Sequence, residues 1–101
     1  MFLMKKTHTN QELNLEIDIL KEGKTYIAYS RALDLASCGK TIEEARKSFM
    51  EAATLFMEAI IESGSYKEVL EGLGWQKRKD SYFPPITIAR QMTSVRIPTF
   101  A

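Results

Sequence analysis

The chain has 101 residues, and its 14 Lys and Arg side chains against 13 Asp and Glu give a formal net charge of +1. A chain of this length forms one small core, which excludes a large multidomain enzyme. Its 45% hydrophobic and 27% charged residues are typical of a folded domain and exclude a disordered chain. Because the net charge is near zero, any contact with nucleic acid must be local.

The cysteine content and the N-terminal residues indicate the compartment. The single cysteine, Cys38, excludes an intramolecular disulfide, and the sequence contains no Asn-x-Ser/Thr acceptor for glycosylation. The apolar residues 1–4 are followed by Lys5-Lys6, so the run is too short for the core of a signal peptide. No apolar run approaches the ~20 residues that span a bilayer. We therefore expect a cytoplasmic protein without membrane contact.

The first part of the chain has the pattern of an antiparallel hairpin. From Leu13 to Ile19 apolar and polar residues alternate strictly, which predicts a strand buried on one side. Gly23 follows in a polar stretch and can adopt the positive φ of a tight turn. Residues 25–29 are rich in β-forming side chains and predict the second strand.

A third strand is expected at about residues 33–38, ending at Gly39. Leu33 and Leu35 would then face inward, with Asp34 between them facing outward. The buried side of the second strand stays open at this point, because two sets of residues fit it equally well: Tyr26 with Ala28, or Ile27 with Tyr29.

Two helices are predicted after the strands. Thr41 and Glu44 form a capping box, in which each side chain accepts a hydrogen bond from the backbone N–H of the other residue. Apolar residues then recur every three or four positions over about six turns, and Gly64 ends the helix. These residues are Ala45, Phe49, Ala52, Ala53, Phe56, Met57 and Ile60. A second, short helix is expected at about residues 66–73.

The C-terminal part of the chain is basic, since residues 63–101 carry six cations and three anions. Lys77, Arg78 and Lys79 are expected to lie in a connecting loop. Pro84-Pro85 prevents helix formation before a predicted strand at residues 86–88. The order β-β-β-α-α-β indicates an α+β fold, with a three-stranded antiparallel sheet and a C-terminal strand covered by one long helix.

This pattern predicts an α+β domain at residues 1–85, followed by a strand and tail at residues 86–101. Residues 92–97 form a further candidate for extended structure. An unpaired segment with alternating apolar residues tends to find a second chain, so we expect the tail to mediate a homodimer or a larger homo-oligomer.

The residues needed for metal or thiol chemistry are few. His8 is the only histidine and Cys38 the only thiol, so neither a zinc site nor a Cys-His pair is expected. No catalytic residue, no metal and no cofactor is therefore expected.

Three carboxylates, Glu16, Asp18 and Asp34, are predicted on the outer side of the sheet. For a two-metal nuclease, which needs three or four carboxylates that converge on its ions, Asp18 and Asp34 on neighbouring predicted strands are the candidates, and the sequence offers no clear third and fourth. The carboxylates therefore belong either to a solvated face or to a surface that docks a protein.

A second candidate surface is basic. Lys77, Arg78 and Lys79 lie between Trp75 and Tyr82-Phe83, an interleaving of cations and aromatic rings that can bind single-stranded nucleic acid. The tail cations Arg90 and Arg96 could join this surface. The sequence thus offers, as one of two functions, a nucleic-acid-binding module or a stand-alone interaction module.

Three stretches together resemble the HicB antitoxin family: Tyr26–Ser30, Leu33–Leu35 and Gly39–Ala45, followed by one amphipathic helix. The resemblance covers roughly residues 13–75, and its most specific part is the Gly39-Lys-Thr-Ile-Glu-Glu-Ala45 stretch. It implies a partial RNase H-like fold without the nuclease carboxylates. It also implies a non-enzymatic antitoxin that covers the active site of a HicA-type toxin, a small basic mRNA-cleaving protein.

Many members of that family also carry a C-terminal DNA-binding domain. Ser94–Pro98 resembles the strand that opens a ribbon-helix-helix domain, but the two helices do not follow in this sequence. DNA is therefore not an expected partner.

Overall fold

The computed structural model describes residues 13–99, in which five strands and two helices are formed. His8 and the apolar N-terminal residues lie outside the described residues. The elements are β1 (Asp18–Glu22), β2 (Thr25–Ser30), β3 (Leu35–Gly39), α1 (Ile42–Glu62), α2 (Tyr66–Gly72), β4 (Gln76–Arg78) and β5 (Ser81–Phe83). The predicted α+β class is confirmed: a long helix packs on a three-stranded antiparallel sheet, followed by a short helix and a β-hairpin.

The first hairpin forms where the sequence predicts it, but β1 begins later. Gly23 has a φ of +62° in the turn between the paired residues Glu22 and Thr25. Strand pairing starts at Asp18, opposite Tyr29, and not at Leu13. The reason is that β2 ends at Ser30, so residues 13–16 have no strand residue opposite them. Their alternation still serves packing, because Leu15 and Ile17 contact the core.

The strand register decides which side of β2 is buried. Ala28 is completely buried and pairs with Ile19 on β1 and Ser37 on β3. Residues that pair directly across strands share a face, so Tyr26 and Ala28 belong to the side that α1 covers. Ile27 and Tyr29 belong to the outer side.

Helix α1 begins and ends where the sequence indicates, and half of the predicted capping box is formed. Thr41 Oγ1 accepts a hydrogen bond from the backbone N–H of Glu44 at 3.0 Å. The Glu44 carboxylate accepts from the backbone N–H of Lys40 at 3.5 Å, one residue earlier than the capping box predicts. The helix ends before Gly64, whose φ is +75°. The predicted apolar stripe faces the sheet, with Ala45, Phe49 and Ile60 buried.

A second part of the core joins the C-terminal hairpin to the sheet. Trp75 is almost fully buried, and its indole N–H donates to the backbone carbonyl of Ala32 at 2.8 Å. Tyr82 is also buried, and its ring meets that of Tyr66 edge to face at 6.2 Å. The remaining buried members of this cluster are Ala32, Leu33, Ile60 and Leu70.

The C-terminal strand does not lie where the sequence predicts it. The expected strand at residues 86–88 is wrong, and residues 84–99 form neither helix nor strand. The pairing forms earlier, between β4 and β5, because burial of Tyr82 holds this hairpin against the core. Pro84 and Pro85 then supply no N–H groups that could continue β5. No helix among residues 13–99 has the length and apolar character needed to cross a membrane.

Candidate protein-binding surface

Two of the three predicted acidic residues lie on either side of one tyrosine. Asp18 on β1 is directly opposite Tyr29 on β2, so both side chains belong to the outer face of the sheet. The Tyr29 hydroxyl donates a hydrogen bond to Oδ1 of Asp34 at 3.0 Å. This hydrogen bond, followed by partial burial, raises the pKa of Tyr29 above its ordinary value of 10.0.

The turn before β3 sets the position of Asp34. Its φ of +50° is in the left-handed region, which aspartate tolerates better than most residues. The backbone N–H of Asp34 donates to the carbonyl of Arg31 at 3.2 Å, which closes the turn. The carboxylate thus reaches Tyr29 from a turn. The sequence alternation predicts a strand at this position, and that prediction is wrong for Asp34.

The remaining contacts of the acidic residues come from the C-terminal segment of the same chain. Nη2 of Arg90 lies 2.7 Å from Oδ1 of Asp18, and the backbone N–H of Thr87 donates to Oε1 of Glu16 at 3.3 Å. The sequence groups Arg90 with the basic residues 77–79 and gives no reason to place the tail against the domain. The only sequence signal for this contact is the opposite charge of the two segments.

A small cleft lies between these segments. It has a volume of about 70 Å³ and is lined by residues 14–16, Asp18, Arg31-Ala32, residues 84–87 and Arg90. Sites for drug-sized ligands are typically ~300 Å³ or larger, so this cleft accommodates side chains and not a bound metabolite. Its lining carries the cations Arg31 and Arg90 as well as the acids Glu16 and Asp18.

The basic segment differs from the predicted loop. Lys77 and Arg78 lie in β4, and Lys79 occupies the turn with a φ of +57°. The Arg78 guanidinium lies over the ring of Phe83, 4.8 Å from its centroid. Of the aromatic side chains around this segment, Phe83 is exposed, whereas Trp75 and Tyr82 are buried.

The tail cations, Arg90 and Arg96, do not join the basic residues of the β4–β5 hairpin. Arg90 is held at Asp18, and no hydrogen bond or ion pair within residues 13–99 connects Arg96 to the hairpin. Cys38 is an exposed free thiol on β3. In the described part of the chain, no group of three or more His, Cys, Asp or Glu side chains is placed to hold a metal ion.

Comparison with family models, curated proteins and solved structures gives no match to this chain. The resemblance to the HicB family therefore depends on the stretches quoted from the sequence, which form β2, the turn before β3 and the start of α1.

Proposed function

We propose that this chain is a non-enzymatic, antitoxin-like protein that binds and inhibits a small basic mRNA-cleaving toxin of the HicA type. The observation that carries the proposal is that Glu16 and Asp18 both contact the C-terminal segment of the same chain. These two acidic residues hold a guanidinium and a backbone N–H. A basic partner would offer the same two kinds of donor.

The chemistry of the toxin's RNA-binding surface favours such a contact. A surface that binds phosphate presents guanidinium and ammonium groups, and carboxylates bind these groups through charge-assisted hydrogen bonds. Asp34 adds a third carboxylate on the far side of Tyr29. A carboxylate has about four acceptor sites, so Asp18 and Asp34 retain capacity beyond the single bond that each accepts here.

The contact within the chain presents a small barrier to the partner. The Arg90 and Asp18 side chains remain 69% and 32% exposed, so water and salt screen their attraction. Exposed ion pairs of this kind contribute about 0–1 kcal/mol. A partner with several clustered cations can therefore displace Arg90 at little cost.

Charge reversal tests this role directly. Glu16→Lys with Asp18→Lys should weaken binding of the basic partner about 100-fold or more, because opposed like charges at an interface cost several kcal/mol. The matched control is Glu51→Lys with Glu58→Lys, which makes the same charge change at exposed positions of α1. Affinity is measured by calorimetry with the co-purified partner, and circular dichroism checks the fold. Equal affinities for the two folded variants would place the interface elsewhere.

A second function is favoured by one observation, the exposed stack of Arg78 on Phe83 between Lys77 and Lys79. Arginine and aromatic faces can stack on bases of single-stranded nucleic acid, and the lysines can contact phosphates. Neutralising Lys77, Arg78 and Lys79 should then reduce oligonucleotide affinity at least ~10-fold and flatten its dependence on salt. Neutralising Arg90 and Arg96 in a separate variant tests whether the tail takes part. Unchanged binding by the hairpin variant would contradict this function.

A further inference from the structure

The outer face of the sheet, on the side away from α1, has an apolar row at its centre. Leu20 on β1 pairs with Ile27 on β2, and Ile27 pairs with Cys38 on β3. Residues that pair directly across strands have neighbouring side chains, so the row is continuous over all three strands. Leu20 is 48% exposed, Cys38 is exposed and Ile27 is half-buried. Contiguous exposed apolar side chains with polar residues around them are a feature of protein interaction sites.

The next row of the same face extends the apolar area. Tyr29 on β2 is half-buried and pairs with Ala36 on β3, which is exposed. The hydrogen bond from Tyr29 to Asp34 at 3.0 Å already restrains the tyrosine side chain. A restrained side chain loses little conformational entropy when a partner covers it, so Tyr29 is suited to be an interface residue.

Carboxylates border this apolar area. Asp18 and Glu22 belong to the outer face at the two ends of β1, and Asp34 lies on the far side of Tyr29. The outer-face residues of β1, β2 and β3 include no Lys or Arg; they are Asp18, Leu20, Glu22, Thr25, Ile27, Tyr29, Ala36 and Cys38. An apolar centre with a polar rim is the usual anatomy of a protein interface, and here the rim carries negative charge.

The negative rim determines which kind of partner fits. Two copies of this face laid against each other would bring surfaces of like charge together, and the phosphates of a nucleic acid would meet the same repulsion. A basic protein surface instead forms charge-assisted hydrogen bonds with the carboxylates. The contact of Arg90 with Asp18 at 2.7 Å is an example of this chemistry within the chain.

We propose that the outer face binds the basic ribonuclease through its apolar row, with Leu20, Ile27 and Cys38 at the centre of the interface and the carboxylates around them. This inference rests on the proposed function and extends it, because the partner must then present apolar side chains between its cations. Cations alone would satisfy the rim and leave the apolar row uncovered.

The size of the outer face indicates how far the interface extends. Three strands about 4.8 Å apart and five residues long provide roughly 200 Å², whereas a stable interface takes about 800 Å² from each partner. Asp18 belongs both to the outer face and to the cleft that Glu16 lines. The interface therefore continues from the apolar row across Asp18 to Glu16.

Lysine substitutions at exposed positions test the outer face. Leu20→Lys with Cys38→Lys places two cations in the apolar row and should raise the concentration that inhibits the co-purified basic ribonuclease about 100-fold or more. The matched control is Met50→Lys with Leu55→Lys, which makes the same charge change at exposed apolar positions of α1. This control should inhibit as the wild type does, and circular dichroism checks that both variants fold.

The outcomes separate this inference from the antitoxin function. Equal inhibition by the two folded variants would overturn the outer face as the interface and leave the antitoxin function in place. A wild-type chain that inhibits no basic ribonuclease would overturn the antitoxin function and this inference with it.

The thiol of Cys38 provides a second measurement, on the unsubstituted chain. It is the only cysteine in the sequence, and it lies exposed in the apolar row. Iodoacetamide should alkylate Cys38 at least ~10-fold more slowly in the complex than in the free chain, because the partner covers the thiol. Mass spectrometry of the peptide that contains Cys38 measures both rates. Equal rates in the free chain and in the saturated complex would overturn the proposal.

Discussion

Nη2 of Arg90 lies 2.7 Å from Oδ1 of Asp18, across 72 positions of the chain. The contact connects the basic tail to an acidic residue beside Tyr29, on the side of the sheet opposite α1. The C-terminal tail, which the sequence presents as a separate arm, therefore occupies part of the proposed partner-binding surface. Under the proposed function, a basic partner that binds Asp18 must displace Arg90 or share the carboxylate with it.

Removing Arg90 should therefore strengthen partner binding. Arg90→Ala frees Asp18, and the lost competition is worth up to about 1 kcal/mol, or roughly a fivefold lower Kd. Arg96→Ala removes the same charge at a position without an ion pair in the described residues and serves as the control. Calorimetry of both variants against the basic partner measures the difference. Weaker binding by Arg90→Ala than by Arg96→Ala would show that Arg90 helps to hold the partner instead.

Trp75 should be important for stability and not for nucleic-acid contact. Trp75→Phe removes the N–H that donates to Ala32 in the buried core and leaves that carbonyl without this donor. The expected loss is about 1–3 kcal/mol in the free energy of unfolding. Urea denaturation measures it as a lower midpoint with an unchanged slope. An unchanged midpoint would mean that the hydrogen bond makes no net contribution to the free energy of unfolding.

Gly39 should be required for stability, because the start of α1 approaches it closely. A Cβ at this position would lie 2.6 Å from the backbone nitrogen of Ala45 and 2.7 Å from Cβ of Glu44. Gly39→Ala should therefore cost about 1–3 kcal/mol, as overpacking does. The control is Gly72→Ala at the end of α2, where a Cβ meets nothing within 4 Å. That change should stabilise by roughly 0.5–1 kcal/mol. Thermal unfolding that ranks the two variants in the opposite order would contradict this account.

Alkaline pH should destabilise the fold through two tyrosines. The hydrogen bond to Asp34 raises the pKa of Tyr29 above 10.0, and burial, followed by the hydrogen bond to Glu71, raises the pKa of Tyr82 above 10.0. The folded chain thus holds these protons more tightly than the unfolded chain does. Their stabilising effect is complete below pH 10 and is lost as the pH rises through the folded pKa values.

The pH profile of stability measures this effect. The free energy of unfolding should fall in the wild type as the pH rises above 10. Tyr29→Phe should reduce the fall, and the double variant with Tyr82→Phe should reduce it further. Parallel profiles for the wild type and the double variant would assign the alkaline loss to other groups.

Local signals in the sequence are sufficient to predict much of the fold. The Gly23 turn and the Thr41 cap depend on residues within a few positions of each other, and both are formed as predicted. The apolar period of α1 likewise identified the residues that face the sheet.

Long-range contacts account for what the sequence did not predict. Trp75 meets Ala32 across 43 positions, and this contact directs the C-terminal hairpin into the core. The end of β2 at Ser30 determines where β1 begins, which the alternation from Leu13 cannot indicate. At the candidate surface, the acidic residues can be identified in the sequence from their charge. The bonds that they accept from Thr87 and Arg90 depend on tertiary placement and could not be predicted.

The most direct measurement of the central claim is an RNA-cleavage titration. The chain is used as bait in lysate from its source organism, and a small basic protein that co-purifies is separated and assayed alone. We predict that this protein cleaves RNA and that one equivalent of the chain abolishes the cleavage. Full activity in the presence of saturating chain, or no basic ribonuclease recovered with folded bait, would contradict the antitoxin account.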